Sequence, residues 1–206
     1  IAEVFLTAFV NLFLEAGLKK GETVLIHGGA SGVGTAAIQL CRQADARVLI
    51  TAGTDAKVER CLELGAEFGV NYKERDFADA ILAHTDGVDV VLDIAGADYL
   101  ARNIEVLKLR GRLVIIAVLT GAETQINLLQ LQVKRLRLIG SVLRTRSDEE
   151  KTAIVDAFKE RFWPMLVDDH IQTVIEEVLP IERAADAQAI LSANRNIGKV
   201  VLQVRP

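Results

Sequence analysis

The stretch His27-Gly28-Gly29-Ala30-Ser31-Gly32-Val33-Gly34-Thr35 separates an apolar, β-branched run, Thr23 to His27, from an apolar-periodic run that begins at Gly34. A glycine-rich turn in that position is where a parallel α/β sheet offers the N-terminus of its first helix to an anion. Gly29 suits the tight turn, small Ser31 and Gly32 let the backbone approach a pyrophosphate, and Gly34 lets helix and strand pack closely. The match is G-x-S-x-x-G, with Ser31 where the common dinucleotide fingerprint has its second glycine. A nucleophile elbow requires G-x-S-x-G, but the residue two after Ser31 is Val33; a Walker loop requires G-K-[ST], but Thr35 follows Gly34 directly. On these residues alone a glycine-rich turn without a ligand stays open as the alternative.

Working outward, short β-branched runs alternate with longer helical patterns, the signature of βαβ units around a parallel sheet. The expected strands are Thr23–His27, Arg47–Thr51, Phe68–Asn71, Val88–Asp93, Arg112–Ala117 and Arg137–Leu143. The expected fold is α/β, a Rossmann-type, doubly wound, six-stranded parallel sheet. Helices are predicted over Gly34–Ala44, Lys57–Leu64, Asp76–Ala83 and Tyr99–Leu107, and an apolar helix without a preceding cap over Ile1–Ala16, which leads to the expectation of further chain upstream. After Leu143 the rhythm changes. A charged helix, Asp148–Trp163, is predicted to break at Pro164; a strand Thr173–Leu179, a helix Glu182–Ala193 and a strand Lys199–Val204 follow. The expected division is a nucleotide-binding domain over residues 1–170 and a C-terminal return segment of another domain over 171–206.

Half of the 206 residues are hydrophobic and the formal net charge is −4, which gives no basic footprint for nucleic acid or for a polybasic membrane contact. No apolar run approaches the roughly 18 residues of a membrane span. Cys41 and Cys61 lie far apart within helical patterns, with neither metal-ligand spacing nor a disulfide framework, so a reducing, cytoplasmic location is expected.

NAD-selective sites carry an acid roughly 20 residues beyond the fingerprint, which accepts the ribose hydroxyls. Here the second strand runs into Thr51-Ala52-Gly53-Thr54-Asp55-Ala56-Lys57. No acid closes the strand, Gly53 leaves space for a phosphate, and Lys57 offers a charge in the next helix's first turns, so NADP(H) is the expected cofactor. Thr54 and Asp55 have the composition of a helix N-cap. A solvated lysine remains the alternative for Lys57, and His27, at the strand end, is read as a structural hydrogen-bonding group.

With these residues in hand, the chain resembles the zinc-free quinone oxidoreductases of the medium-chain dehydrogenase/reductase superfamily, in particular the p53-inducible quinone oxidoreductase group. The shared runs are Ala2-Glu3-Val4-Phe5-Leu6-Thr7, Gly21 to His27, Ser31 to Leu40, Asn71-Tyr72-Lys73 and Asn194-Arg195-Asn196-Ile197-Gly198-Lys199. The resemblance implies that Ser31, Gly32 and Val33 hold the pyrophosphate, that Gly53, Lys57 and Tyr72 surround the adenosine ribose and its 2′-phosphate, and that Arg195 adds a contact nearby. It also implies that Thr7 lies toward the nicotinamide, with backbone around Val118 and Leu143 holding the carboxamide. Tyr72 as a strand cap and Thr7 as an ordinary helix residue remain open. Zinc-dependent relatives place a cysteine ligand where this chain has Glu3, so no metal is expected and no catalytic side chain is assigned.

The function that the resemblance implies is hydride transfer from NADPH to a small quinone or related conjugated carbonyl, with enoyl or alkenal reduction as the same-class alternative and a non-catalytic NADPH-binding sensor as the other. It further implies a homodimer joined through the edge strand Arg137–Leu143, and an N-terminal barrel-like substrate domain outside these residues. Two expectations follow: these residues bind NADPH but turn over little quinone by themselves, and the return strands are disordered or pair with a neighbouring chain.

Overall fold

The computed structural model describes residues 3–205; Ile1 and Ala2, the start of the expected leading helix, and Pro206 lie outside them. Six strands form one parallel sheet: β1 (Thr23–His27), β2 (Arg47–Ala52), β3 (Phe68–Asn71), β4 (Val88–Asp93), β5 (Leu107–Ile115) and β6 (Arg137–Gly140). Their order is β3-β2-β1-β4-β5-β6, with every pairing parallel. The chain winds outward from β1 to β3, then crosses back to β4 on the other side of β1. A crevice therefore opens beyond the C-terminal ends of β1 and β4, where the winding reverses.

Alternation along the strands divides the core into two layers. Val24, Ile26, Val48, Ile50, Val90, Leu92 and Val114 face α1 (Val4–Phe9), α2 (Gly32–Gln43) and α7 (Asp148–Val167). Leu25, Leu49, Val70, Val91 and Leu113 face α4 (Phe77–His84) and α5 (Leu100–Val106). Because both faces of the inner strands are covered, those strands are strongly apolar, and β1, β3 and β4 begin and end where the sequence predicts.

Several elements depart from expectation for identifiable reasons. α7 runs through Pro164 to Val167 instead of stopping: buried Ile154, Phe158 and Phe162 lie before the proline, and Phe158 and Phe162 pack edge-on against Phe9. Tertiary packing outweighs one lost backbone donor. The leading helix changes from α to a wider π turn over Val10–Glu15, with Ala16 N–H donating to the Asn11 carbonyl. β5 starts at Leu107 because a bulge lies between its pairing of Leu107 with Val88 and of Arg112 with Val90; Arg110 there takes a left-handed conformation, φ 64°. It ends at Ile115, and β6 ends at Gly140, three residues before Leu143. A short helix, α6 (Leu128–Lys134), capped by the Asn127 side chain, stands where no element is predicted.

The return strands, β7 (Ile175–Pro180) and β8 (Lys199–Gln203), pair in parallel with each other, joined through α8 (Ala184–Ser192). Several contacts tie this small unit to the large sheet, two of them beside α2 and its loop. The Gln39 side chain donates to the Gln172 carbonyl and accepts from its N–H, and Gly198 N–H donates to the Ala30 carbonyl in the glycine-rich loop at 2.8 Å.

Backbone meets backbone closely at Gly34, where a Cβ would overlap the carbonyl oxygens of Gly28 and Gly29. Those contacts are backbone, so no rotamer change relieves them. Gly34→Val is expected to cost about 3 kcal/mol or more. Gly140→Ala, where a Cβ meets nothing within 4 Å, is the comparison. Thermal unfolding checks it: equal melting temperatures for the two variants would contradict the reading.

Candidate functional site: a cavity at the sheet reversal

Beyond the C-terminal ends of β1, β2 and β4 lies a cavity of about 410 Å³. One wall is the glycine-rich loop, with Gly28, Ala30 and Ser31; the opposite wall is the Ile94–Ala95 turn with Leu119 and Thr120; Gly53, Lys57 and Tyr72 close one end, and Asn194 and Asn196 arrive from the small unit. A cavity of this size is typical of small-molecule sites.

The loop wall is a helix N-terminus. Ser31, in an extended conformation, caps α2 by accepting from Gly34 N–H at 3.0 Å, and its carbonyl accepts from Thr35 N–H. The amides of Gly32 and Val33 precede the first possible acceptor within the helix and carry the positive end of its dipole. The space a side chain at Gly32 would need is filled by the aliphatic part of Lys199. The first turn of α2 thus separates the main cavity from a smaller one of about 120 Å³, lined by Val4, Phe5, Thr35 and Lys199.

At the far end, α3 (Asp55–Glu63) starts from its own cap, with Thr54 Oγ1 accepting from Lys57 N–H. This cap turns Lys57 inward. Its side chain is buried, and Nζ donates to the Asn194 carbonyl and to Asn194 Oδ1, each at 2.8 Å. Among the described residues no carboxylate forms an ion pair with it. Burial pulls the ammonium below its ordinary range; Glu176 opposes that shift and Lys73 adds to it. The result is an unneutralised cation on a cavity wall, which excludes the solvated-lysine alternative. The place a Gly53 side chain would take is occupied by Tyr72, whose hydroxyl would stand 2.8 Å from such a Cβ. Gly53 therefore makes room for the tyrosine ring.

Two buried polar groups shape the remaining wall. His27 lies within hydrogen-bonding distance of Thr51 Oγ1 at 3.0 Å and Asn103 Oδ1 at 2.7 Å, with Phe77 and Tyr99 edge-on to its ring. Burial pushes its pKa down to about 4, against the Asn103 hydrogen bond and helped by Arg102, so the ring is neutral at neutral pH. Asp93, also buried and with its pKa raised by desolvation, accepts from Ala95 and Gly96 N–H at 2.7 and 3.2 Å and so fixes the turn opposite the loop.

Of the residues singled out from sequence, Ser31, Gly53, Lys57 and Tyr72 line the main cavity, and Gly32 and Val33 form the helix turn beside it. Thr7 does not line it; its hydroxyl donates to Glu3 Oε1 at 3.0 Å, on the helix whose Val4 and Phe5 border the smaller cavity. Arg195 does not line the main cavity either; it borders a separate groove with Glu176, Glu177 and Asp186. Asn194, Asn196, Thr120 and Asp93 were missed. An Asn-rich turn before Gly198 was the only legible signal for the two asparagines, and the partner of Asn194, Lys57, lies 137 residues away in sequence. Among the described residues no three His, Cys, Asp or Glu side chains converge, and burial raises the Cys41 thiol and pushes Cys61 to about 12.

Comparisons with known proteins show the family and the fold. A family model described as zinc-binding dehydrogenase matches residues 32–160. The quinone oxidoreductase of Rattus norvegicus is 31% identical over 204 residues, covering 96% of this chain but 59% of the rat protein, so the chain spans less than two thirds of that relative. Among solved structures, the quinone oxidoreductase of Thermus thermophilus, described with its NADPH complex, superposes with a TM-score of 0.86 at 29% identity, over 98% of this chain and 64% of its own. An NAD-dependent alcohol dehydrogenase superposes with a TM-score of 0.82 at 32% identity, over 98% and 57%.

Proposed function

The chain belongs to the zinc-binding dehydrogenase family of medium-chain dehydrogenases and reductases, and from that premise we propose that it is the NADP(H)-binding part of a reductase acting on a quinone or related conjugated carbonyl. The observation that carries the proposal is Lys57, a buried cation with no carboxylate ion-paired to it among the described residues, at the end of a cavity whose other end is a helix N-terminus. Those two positive features suit a ligand with a phosphate at each place. A ribose 2′-phosphate beside Lys57 and Tyr72, with a pyrophosphate at Ser31, Gly32 and Val33, satisfies both. Relatives of both nucleotide preferences share the fold, so the choice rests on these side chains, and no acid closes β2 to favour NAD.

When bound, NADPH supplies a hydride. The contribution of these residues is to bind and orient it. Gly32 and Val33 amides would hold the diphosphate and Lys57 and Tyr72 the adenosine end, which would leave the nicotinamide toward the smaller cavity beside Val4 and Phe5. The neutral His27 ring and the Asp93-braced turn keep the walls in place. No side chain here is assigned a proton-transfer role, and orientation is the main contribution such a site makes to hydride transfer. Arg195 serves the surface of the small unit in this reading, and residues 171–206 act as a returning piece of the acceptor-binding half. The reducing environment implied by two free, buried cysteines fits the cytoplasm, and no helix among the described residues is long and apolar enough to cross a membrane.

We also propose a homodimer through β6. It is the edge of the sheet, and Leu128, Leu129, Val133 and Leu138 stand exposed on it and on neighbouring α6. An apolar edge of this kind pairs or aggregates. Sedimentation at micromolar concentration is expected to give a dimer that Leu138→Lys weakens; a monomer with β6 unchanged would contradict it.

For nucleotide choice, Lys57→Ala is expected to weaken NADPH about tenfold or more while leaving NADH nearly unchanged, since a charge-assisted phosphate contact contributes roughly 1.5–3 kcal/mol. Fluorescence titration of both nucleotides reads this. Equal weakening of the two would overturn the assignment.

A further inference from the structure

Lys57 is held in place by one residue. Its two hydrogen bonds go to the carbonyl oxygen and the side-chain oxygen of Asn194, 137 residues away in sequence. Asn194 lies between α8 and β8, with a left-handed backbone at φ 49°. That conformation turns its carbonyl and side chain toward the same ammonium, and among residues with a side chain only Asn and Asp adopt it readily.

The chemistry of the pair decides what the cavity can select. An ammonium has three N–H donors; two are used on Asn194, and one is left for a ligand. Both acceptors are neutral, so Asn194 fixes the position of the charge without cancelling it. Aspartate would satisfy the same backbone and geometry but would form an ion pair with Lys57 and place a negative charge beside the cavity. Glycine would keep the backbone conformation and the carbonyl while losing the second acceptor.

We propose that Asn194 is a positioning residue for nucleotide specificity: through two neutral acceptors it holds the Lys57 ammonium where a ribose 2′-phosphate docks. Nucleotide choice is then set jointly by the large sheet, which carries Lys57, and by the small β7–β8 unit, which carries Asn194. The proposal rests on the reading of Lys57 as the 2′-phosphate contact. The alternative role for Asn194 is anchorage alone, tying the small unit to α3.

Affinity for NADPH and NADH, by fluorescence titration of the full-length protein, separates these roles when Asn194→Asp, Asn194→Gly and Lys57→Ala are measured beside the unaltered protein, with thermal unfolding as the check on anchorage. The expected result for Asn194→Asp is a loss of about tenfold or more in the preference for NADPH over NADH, with NADH affinity held, because the new carboxylate neutralises Lys57 and repels the phosphate. Asn194→Gly is expected to lower the preference by a smaller factor. An unchanged preference in Asn194→Asp, alongside a preference lost in Lys57→Ala, would overturn the role of Asn194 while leaving that of Lys57. Equal weakening of both nucleotides in Asn194→Asp would assign the residue to anchorage and overturn the proposal. An unchanged preference in Lys57→Ala would remove the reading on which it rests.

Discussion

The structure depends on how closely the first turn of α2 approaches the turn that precedes it. Gly34 has no Cβ, so its backbone sits against the carbonyls of Gly28 and Gly29. That contact sets the helix axis over the crevice and aims the Gly32 and Val33 amides along it. Around this point the remaining glycines have packing roles: Gly29 leaves room for Ile50 and Cys61, and Gly32 for the stem of Lys199. The loop is a packed object, held from one side by β2 and α3 and from the other by the small unit through the Gly198 to Ala30 hydrogen bond. A helix dipole is useful to a ligand only where the helix end is fixed and other anions are kept away, and this packing provides both conditions.

Charge is distributed along the cavity in keeping with that geometry. The helix end supplies partial positive charge at one place and Lys57 a full charge at another, while the nearest buried acid, Asp93, is committed to two backbone amides. His27 is neutral through burial and contributes shape and hydrogen bonding to the wall. The cavity is thus polarised toward anions by few groups, each braced by a neighbour from a different element. Its two ends differ in kind, a dipole and a point charge, which suits a ligand whose phosphates also differ, one bridging and one terminal.

The sheet was legible in the sequence because strands covered on both faces appear as strongly apolar runs with little ambiguity at their ends, as at Thr23–His27. The glycine-rich loop was legible because its spacing is dictated by backbone contact within a few residues. What escaped depended on distant contacts. The bulge before Arg112 hides the true start of β5 behind the polar residues Lys108 and Arg110. The run through Pro164 depends on phenylalanines packing against a helix at the other end of the chain. The β7–β8 pairing could not be read from strands whose outer faces are largely exposed. Within the site, Lys57 and Gly53 stood out for the acid missing beside them, whereas Asn194, the partner of Lys57, is remote from it in sequence.

The central claim, that the cavity at the sheet reversal receives a dinucleotide with its pyrophosphate on the α2 N-terminus, is tested most directly by amide chemical shifts recorded during titration with NADPH. The account predicts that the amides of Ser31, Gly32 and Val33 move furthest and saturate together with those of Gly53 and Lys57, while those of β6 and α6 stay in place. Shifts centred elsewhere, or a loop unmoved at saturating nucleotide, would contradict it.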